Sequence, residues 1–318
     1  MKKVIVTGAT GMIGMAVIRS LLKRNVEKIY AVVQPNSERI NRIPKSDHVI
    51  VVECALADYK NLSHLINDKC DVFYHFARCA TKNKQTGCEN DVYTFWNNVG
   101  YSLNALHAAC ELQCQTFVGA GSQAEYGSNR EKIQRPLDVT NPDTMYGVEK
   151  VSTYSFLALE AKKCGINLQW VRIFSVYGIY DRNTTMIMSV LDKMMRNETI
   201  NMTKCEQQWD YLFEDDAGDA LYYIGEHSKE SSIYCLGSGE CHSLKFYVEE
   251  MKSIVQSSSQ INYGVIPYTA NSVMNLHADI FSIKEITGWE GPKVSFSDGI
   301  LAIWESKKSY EGKDYEEN

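Results

Sequence analysis

Tyr146 and Lys150 stand four residues apart in Thr144-Met145-Tyr146-Gly147-Val148-Glu149-Lys150. On a helix that spacing puts phenol and ammonium on one face. A phenol titrates near pH ~10, and a neighbouring cation favours its ionised form, so such a pair can exchange a proton with a bound oxygen at neutral pH. This is the chemistry of a carbonyl becoming an alcohol, or the reverse. Tyr and Lys at this spacing also arise on ordinary solvated helix faces, so the rest of the chain decides what the pair means.

A carbonyl–alcohol exchange needs a hydride carrier, and the N-terminus offers a place for one. Thr7-Gly8-Ala9-Thr10-Gly11-Met12-Ile13-Gly14 follows a short β-branched run, and Ile13, Val17, Ile18, Leu21 and Leu22 then recur at helical spacing. Glycines there permit a tight turn and close backbone approach, and the helix start presents free N–H groups to a pyrophosphate. The unit reads as a dinucleotide-binding loop. An acidic residue closing the second strand would select the 2′-hydroxyl of NAD. Here that strand ends Val33-Gln34-Pro35-Asn36-Ser37, with Arg39 and Arg42 beyond. Asn36, Ser37 and Arg39 suit a 2′-phosphate. NADP(H) is therefore the preferred cofactor and NAD(H) the alternative, in which case Arg39 and Arg42 are solvated charges at a helix start.

The elements that must position these residues show one cadence in the first half, a β-branched run followed by a helical stretch, as in βαβ units of a parallel sheet. Strands are expected at Val4–Thr7, Ile29–Val33, Val49–Val52, Val72–Phe76, Phe117–Ala120 and Leu168–Phe174, and helices at Asn98–Leu112 and Tyr146–Lys163. The expected fold is α/β, a Rossmann-type doubly wound parallel sheet with a smaller C-terminal α/β lobe. Residues 1–174 form the dinucleotide-binding domain, with return segments near 209–238, and 175–318 are mainly the substrate-binding lobe. The charged stretch Ser306–Asn318 is expected to fray.

Composition narrows the function. The chain has 318 residues, 44% hydrophobic and 23% charged, enough for a large core. A net charge of -6 without any Lys/Arg block argues against nucleic acid or an anionic membrane as partner and for a small ligand. Ten scattered cysteines show neither a C-x-x-C pair nor zinc-finger spacing, so they read as reduced thiols, and no metal is expected. The N-terminus runs directly into Lys2-Lys3-Val4-Ile5 with no apolar leader. A cytoplasmic location is expected.

Loop, Tyr146/Lys150 pair and strand order together resemble the extended short-chain dehydrogenase/reductase family of nucleotide-sugar epimerases, dehydratases and ketoreductases. His75-Phe76-Ala77, Asn98 in Asn97-Asn98-Val99-Gly100, the stretch Arg172 to Gly178, the stretch Trp209 to Asp216 and Gly288-Trp289 match as well. The resemblance implies a catalytic set of Ser122, Tyr146 and Lys150. Ser122 orients the sugar oxygen, Tyr146 passes the proton, and Lys150 supports the phenolate and the nicotinamide ribose. It also implies cofactor contacts from Gly8, Thr10, Gly11, Met12, Ile13, Gly14, Phe76, Ala77, Asn98 and Phe174, beside the ribose residues above. Substrate contacts are expected from Thr81, Gln123, Ser175, Arg182 and Trp209, and a homodimer through the two long helices.

Two residues after Ser122 discriminate within the resemblance. Members that remove water across C4 to C6 need an acid and a base there, whereas this chain has Gln123-Ala124. An amide and a methyl group cannot do that work, so dehydration is not the expected reaction. The string Gly121-Ser122-Gln123-Ala124-Glu125-Tyr126-Gly127 is similar to that of 4-keto-6-deoxyhexose reductases, including the enzymes that make GDP-rhamnose and CDP-abequose. Reduction of a C4 ketone on a nucleotide-linked sugar is the expected reaction, with nucleotide-sugar 4-epimerisation as the alternative. The arginines that clamp the substrate diphosphate in many relatives are missing, Trp209 standing in the place of one.

Overall fold

Six short runs before residue 174 form parallel strands, and a seventh joins them from much later in the chain. The computed structural model describes residues 1–79, 92–128, 133–269 and 272–314. The first half runs β1 (Lys3–Thr7), α1 (Met12–Lys23), β2 (Lys28–Val33), β3 (Val49–Glu53), α2 (Leu62–Leu65), β4 (Val72–His75), α3 (Val92–Glu111), β5 (Thr116–Ser122), α4 (Met145–Cys164) and β6 (Asn167–Ile173). There follow β7 (Ser175–Tyr177), α5 (Met186–Met195), β8 (Ile200–Asn201), β9 (Gln208–Trp209), β10 (Tyr211–Phe213), α6 (Glu214–His227) and β11 (Ser232–Leu236). The remainder is β12 (His242–Ser243), α7 (Leu244–Ile254), β13 (Ile261–Asn262), β14 (Asn275–Leu276), α8 (Phe281–Thr287) and α9 (Phe296–Asp314).

The main sheet has the order β11-β6-β5-β4-β1-β2-β3, parallel throughout. This is the doubly wound α/β architecture expected from the sequence. Side chains alternate across a strand, and in β1 both faces are covered: Val4 and Val6 pack with α1 and α6, Ile5 with the α3 side. The chain winds outward from β1 in one direction through β2 and β3, then in the other from β4. Such a reversal opens a crevice at the carboxyl ends of the strands, between β1 and β4.

After β7 the chain builds a smaller cluster around Tyr177, Leu191, Phe213, Val248 and Met251. Two segments go back to the main sheet. Helix α6 lies against α1, where Arg19 bonds Asp215 at 2.8 Å, and β11 pairs with β6.

The C-terminal segment departs from expectation. Instead of fraying from Ser306, α9 continues to Asp314. Ile300 and Ile303 are fully buried at its start, and Lys307 forms an ion pair with Asp192 of α5. These anchors hold a run of good helix formers that has little apolar surface of its own. Residues 315–318 lie outside the described residues.

Candidate active site

The glycine loop is built as a cradle. Gly11 N–H donates to Gly8 O at 2.9 Å, closing the turn, and Gly8 has φ +68°, a conformation side-chain-bearing residues rarely adopt. A Cβ on Gly8 would lie 2.8 Å from Ala77 N, and one on Gly14 would lie 2.3 Å from Gly8 O. Loop, helix start and the segment after β4 therefore meet backbone to backbone. Gly11 is the N-cap of α1 and has no side-chain cap, so the first N–H groups face the crevice end of the sheet unsatisfied by any cap. Thr10 sits within the turn. This cradle fits a pyrophosphate-bearing dinucleotide.

A cleft of about 630 Å³ opens in front of the loop. Gly8, Gly11, Met12, Ile13 and Gly14 form one wall, Phe76 and Phe174 follow from the ends of β4 and β6, and Ser175 from the start of β7. Arg39, Arg182 and Trp209 border it too, so most expected contact residues meet here. Asn36 and Ser37 are not part of this wall. Asn36 has φ +55°, and Ser37 Oγ accepts from Arg39 N–H at 3.3 Å, so both shape the turn that presents Arg39. Thr81 lies outside the described residues.

Asp181 carries no signal in the sequence, and Arg42 figures there only beside Arg39. Arg42 borders the cleft and its guanidinium stacks on Tyr180 at 4.7 Å, a contact between the β2 side and the segment after β7. Trp209 Nε1 donates to Ser175 Oγ at 2.7 Å, fixing the indole at the cleft edge. Asp181 is pushed up from the ordinary carboxylate range by burial, though Arg182 N–H and Thr185 Oγ1 donate to it.

Behind Phe76 and Ala120, which border the cleft, lies a tight polar pocket of about 10 Å³, lined also by Ala77, Arg78, Asn98, Glu149 and Lys150. Lys150 Nζ donates to Ala120 O at 2.9 Å and sits 5.7 Å from the centre of the Tyr146 ring. The helical spacing read from the sequence thus places the two side chains together. Asn98 holds the backbone after β4, its Oδ1 accepting from Cys79 N–H and its Nδ2 donating to Cys79 O, each at 3.0 Å. His75 bonds Thr7 Oγ1 at 2.9 Å and Ser102 Oγ at 3.1 Å. Burial, then the charge of Lys150, pushes its imidazole down to about 3, so the ring stays neutral.

Ser122 ends β5 and caps the short turn Gln123–Tyr126, its Oγ accepting from Ala124 N–H at 3.2 Å. Gln123 is half-buried in that turn. Tyr146 lies in the first turn of α4, and the next residue brings it to this same turn: a Cβ on Gly147 would be 2.4 Å from Ala124 O. Glu125 is fully buried beneath. It accepts from Ser122 N–H at 2.9 Å, Trp170 Nε1 at 3.0 Å and Arg172 Nε at 2.7 Å. A carboxylate so engaged is a structural anchor for the serine, not a proton carrier.

A family model described as "NAD dependent epimerase/dehydratase family" matches residues 4–237. The chain belongs to this family. It is 25% identical to the CDP-abequose synthase of Salmonella muenchen, over 96% of this chain and 98% of that one. The dTDP-4-dehydro-6-deoxyglucose reductase of Escherichia coli is 24% identical over 93% and 95%. Among solved structures, the UDP-glucuronic acid 4-epimerase of Bacillus cereus in complex with UDP-glucuronic acid and NAD superposes with a TM-score of 0.82. It is 21% identical and covers 97% of this chain and 99% of that one. Membership makes this an NAD-dependent enzyme of the epimerase/dehydratase type. No helix among the described residues is long and apolar enough to cross a membrane.

Proposed function

We propose that the protein reduces the C4 ketone of a nucleotide-linked 4-keto-6-deoxyhexose with NADPH. The observation that carries this reading is the junction of Tyr146, Lys150 and the Ser122 turn, where Gln123 and Ala124 stand in place of an acid–base pair. When bound, the nicotinamide supplies the hydride. Tyr146 gives its proton to the oxygen of the former ketone while Ser122 orients that oxygen. Lys150, fixed by Ala120 O, keeps a positive charge beside the phenol. Gly8, Thr10, Gly11, Met12, Ile13 and Gly14 hold the pyrophosphate, with Phe76, Ala77, Asn98 and Phe174 enclosing the nicotinamide end. Arg39 and Arg42, at the cleft border, suit a 2′-phosphate and favour NADPH over NADH. Ser175, Arg182 and Trp209 face the substrate.

The exposed apolar residues Tyr93, Trp96, Phe156 and Leu159 on α3 and α4 support a homodimer through these helices. A 4-epimerase that keeps its cofactor bound is the second reading, favoured by the NAD-dependent family and the likeness in fold to a 4-epimerase. Incubation with NADPH deuterated at both C4 positions and a panel of CDP-, dTDP-, GDP- and UDP-linked 4-keto sugars separates the two. Reduction predicts one deuterium in the product for each cofactor consumed. The corresponding 4-hydroxy sugars, incubated in parallel without added cofactor, test the second reading: inversion at C4 with no net cofactor change would mean epimerisation.

A further inference from the structure

Arg78 directly follows the His75-Phe76-Ala77 segment and turns back to α4. Its Nε donates to Glu149 Oε1 at 2.9 Å and its Nη2 donates to Glu149 Oε2 at 2.9 Å, a bidentate pair. Glu149 is almost wholly buried and also accepts from Asn98 Nδ2 at 3.1 Å. The guanidinium carbon lies 4.7 Å from the centre of the Tyr146 ring and 5.3 Å from that of Phe95. Two cations thus border one phenol: Arg78 from the segment after β4, and Lys150 from its own helix.

We propose that Arg78 is a positioning residue for the proton transfer: gripped by Glu149, it holds the Tyr146 ring in place and stabilises the phenolate formed when the proton leaves. This rests on the reading of Tyr146 as proton donor. In the step, the phenol O–H bond breaks and the O–H bond of the product alcohol forms. The electron pair for the new C–H bond comes from the reduced nicotinamide, and the negative charge is left on Tyr146. A flat guanidinium on an aromatic face suits that charge, and its attraction grows as the ring becomes anionic. Glu149, three residues along the helix from Tyr146, acts in the opposite sense, and Arg78 offsets it. His75, the other titratable group beside Lys150, remains neutral.

The opposed charges give a signature that a merely structural role would not. Ultraviolet titration of each protein against the same protein carrying Tyr146→Phe isolates the ionisation step of Tyr146 and needs no substrate. Arg78→Met should move that step to higher pH by about one unit, a tenfold loss of phenolate at fixed pH, and Glu149→Gln should move it to lower pH. Arg78→Lys, which keeps the charge without the fork, should stay closer to wild type than Arg78→Met. Turnover of the holoenzyme should follow, with Arg78→Met lowering kcat about tenfold while KM changes less than about twofold. Should Arg78→Met fail to fold because Glu149 is left unpaired, the direction in Glu149→Gln decides. Steps that stay in place, or that move in the same direction in both variants, would overturn the proposal. Wild-type activity in Tyr146→Phe would instead strike the proton-donor reading, so the two failures are distinguishable.

Discussion

Gly147→Ala is a one-methyl test of how the site is held in register. The added Cβ would lie 2.4 Å from Ala124 O and 2.9 Å from Pro142 Cβ, whereas ordinary contact begins at 3.4 Å. The first turn of α4 must therefore retreat by about 1 Å from the turn capped by Ser122. Alanine gains about 1 kcal/mol of helix propensity over glycine, and overpacking costs about 1–3 kcal/mol, so the net loss of stability should be about 0–2 kcal/mol. Turnover should suffer more, since misplacing a reacting group by about 1 Å costs up to about 10²-fold. Urea unfolding and single-turnover rates on the same preparation separate the two effects. Turnover within about twofold of wild type would refute the argument that this backbone contact aligns Tyr146 with Ser122.

Two further outcomes follow from buried charge. Glu125→Gln leaves the Arg172 guanidinium buried without its carboxylate, and about 3–5 kcal/mol of stability should be lost in urea unfolding; a loss under about 1 kcal/mol would contradict the anchoring role. His75 has its folded value lowered to about 3, below the unfolded value, so its contribution to stability is full above pH ~6.5 and declines as pH falls toward the folded value. Between about pH 6.5 and pH 5, wild type should therefore lose about 2 kcal/mol relative to His75→Gln, and equal acid slopes in the two proteins would contradict this.

What was legible in the sequence was what depends on neighbours along the chain. Runs such as Val4-Ile5-Val6 and Lys28 to Val33 form strands as their β-branched content dictates, and Gly8, Gly11 and Gly14 form the cradle their spacing implies. Helix α3 begins at Val92, six residues before the expected Asn98, because Val92, Tyr93 and Trp96 are exposed apolar residues that obscure the amphipathic pattern. Long-range pairing was not legible. Arg78 meets Glu149 across 71 residues and Arg172 meets Glu125 across 47, and local patterning does not select such partners. The one local signal for the first was Glu149 beside Lys150, a carboxylate on the helix of Tyr146 and Lys150 with no partner at helical spacing. Arg42 is similar: its stacking on Tyr180 depends on how the segment after β7 folds over the cleft.

Passage of the proton by the Tyr146 phenol in a nicotinamide-dependent reaction is open to a single substitution, Tyr146→Phe. The variant keeps the ring and deletes the hydroxyl. Measured side by side, it should bind NADPH as wild type does while losing about 10²–10⁴-fold in turnover. Wild-type turnover with the cofactor bound would mean that another group passes the proton.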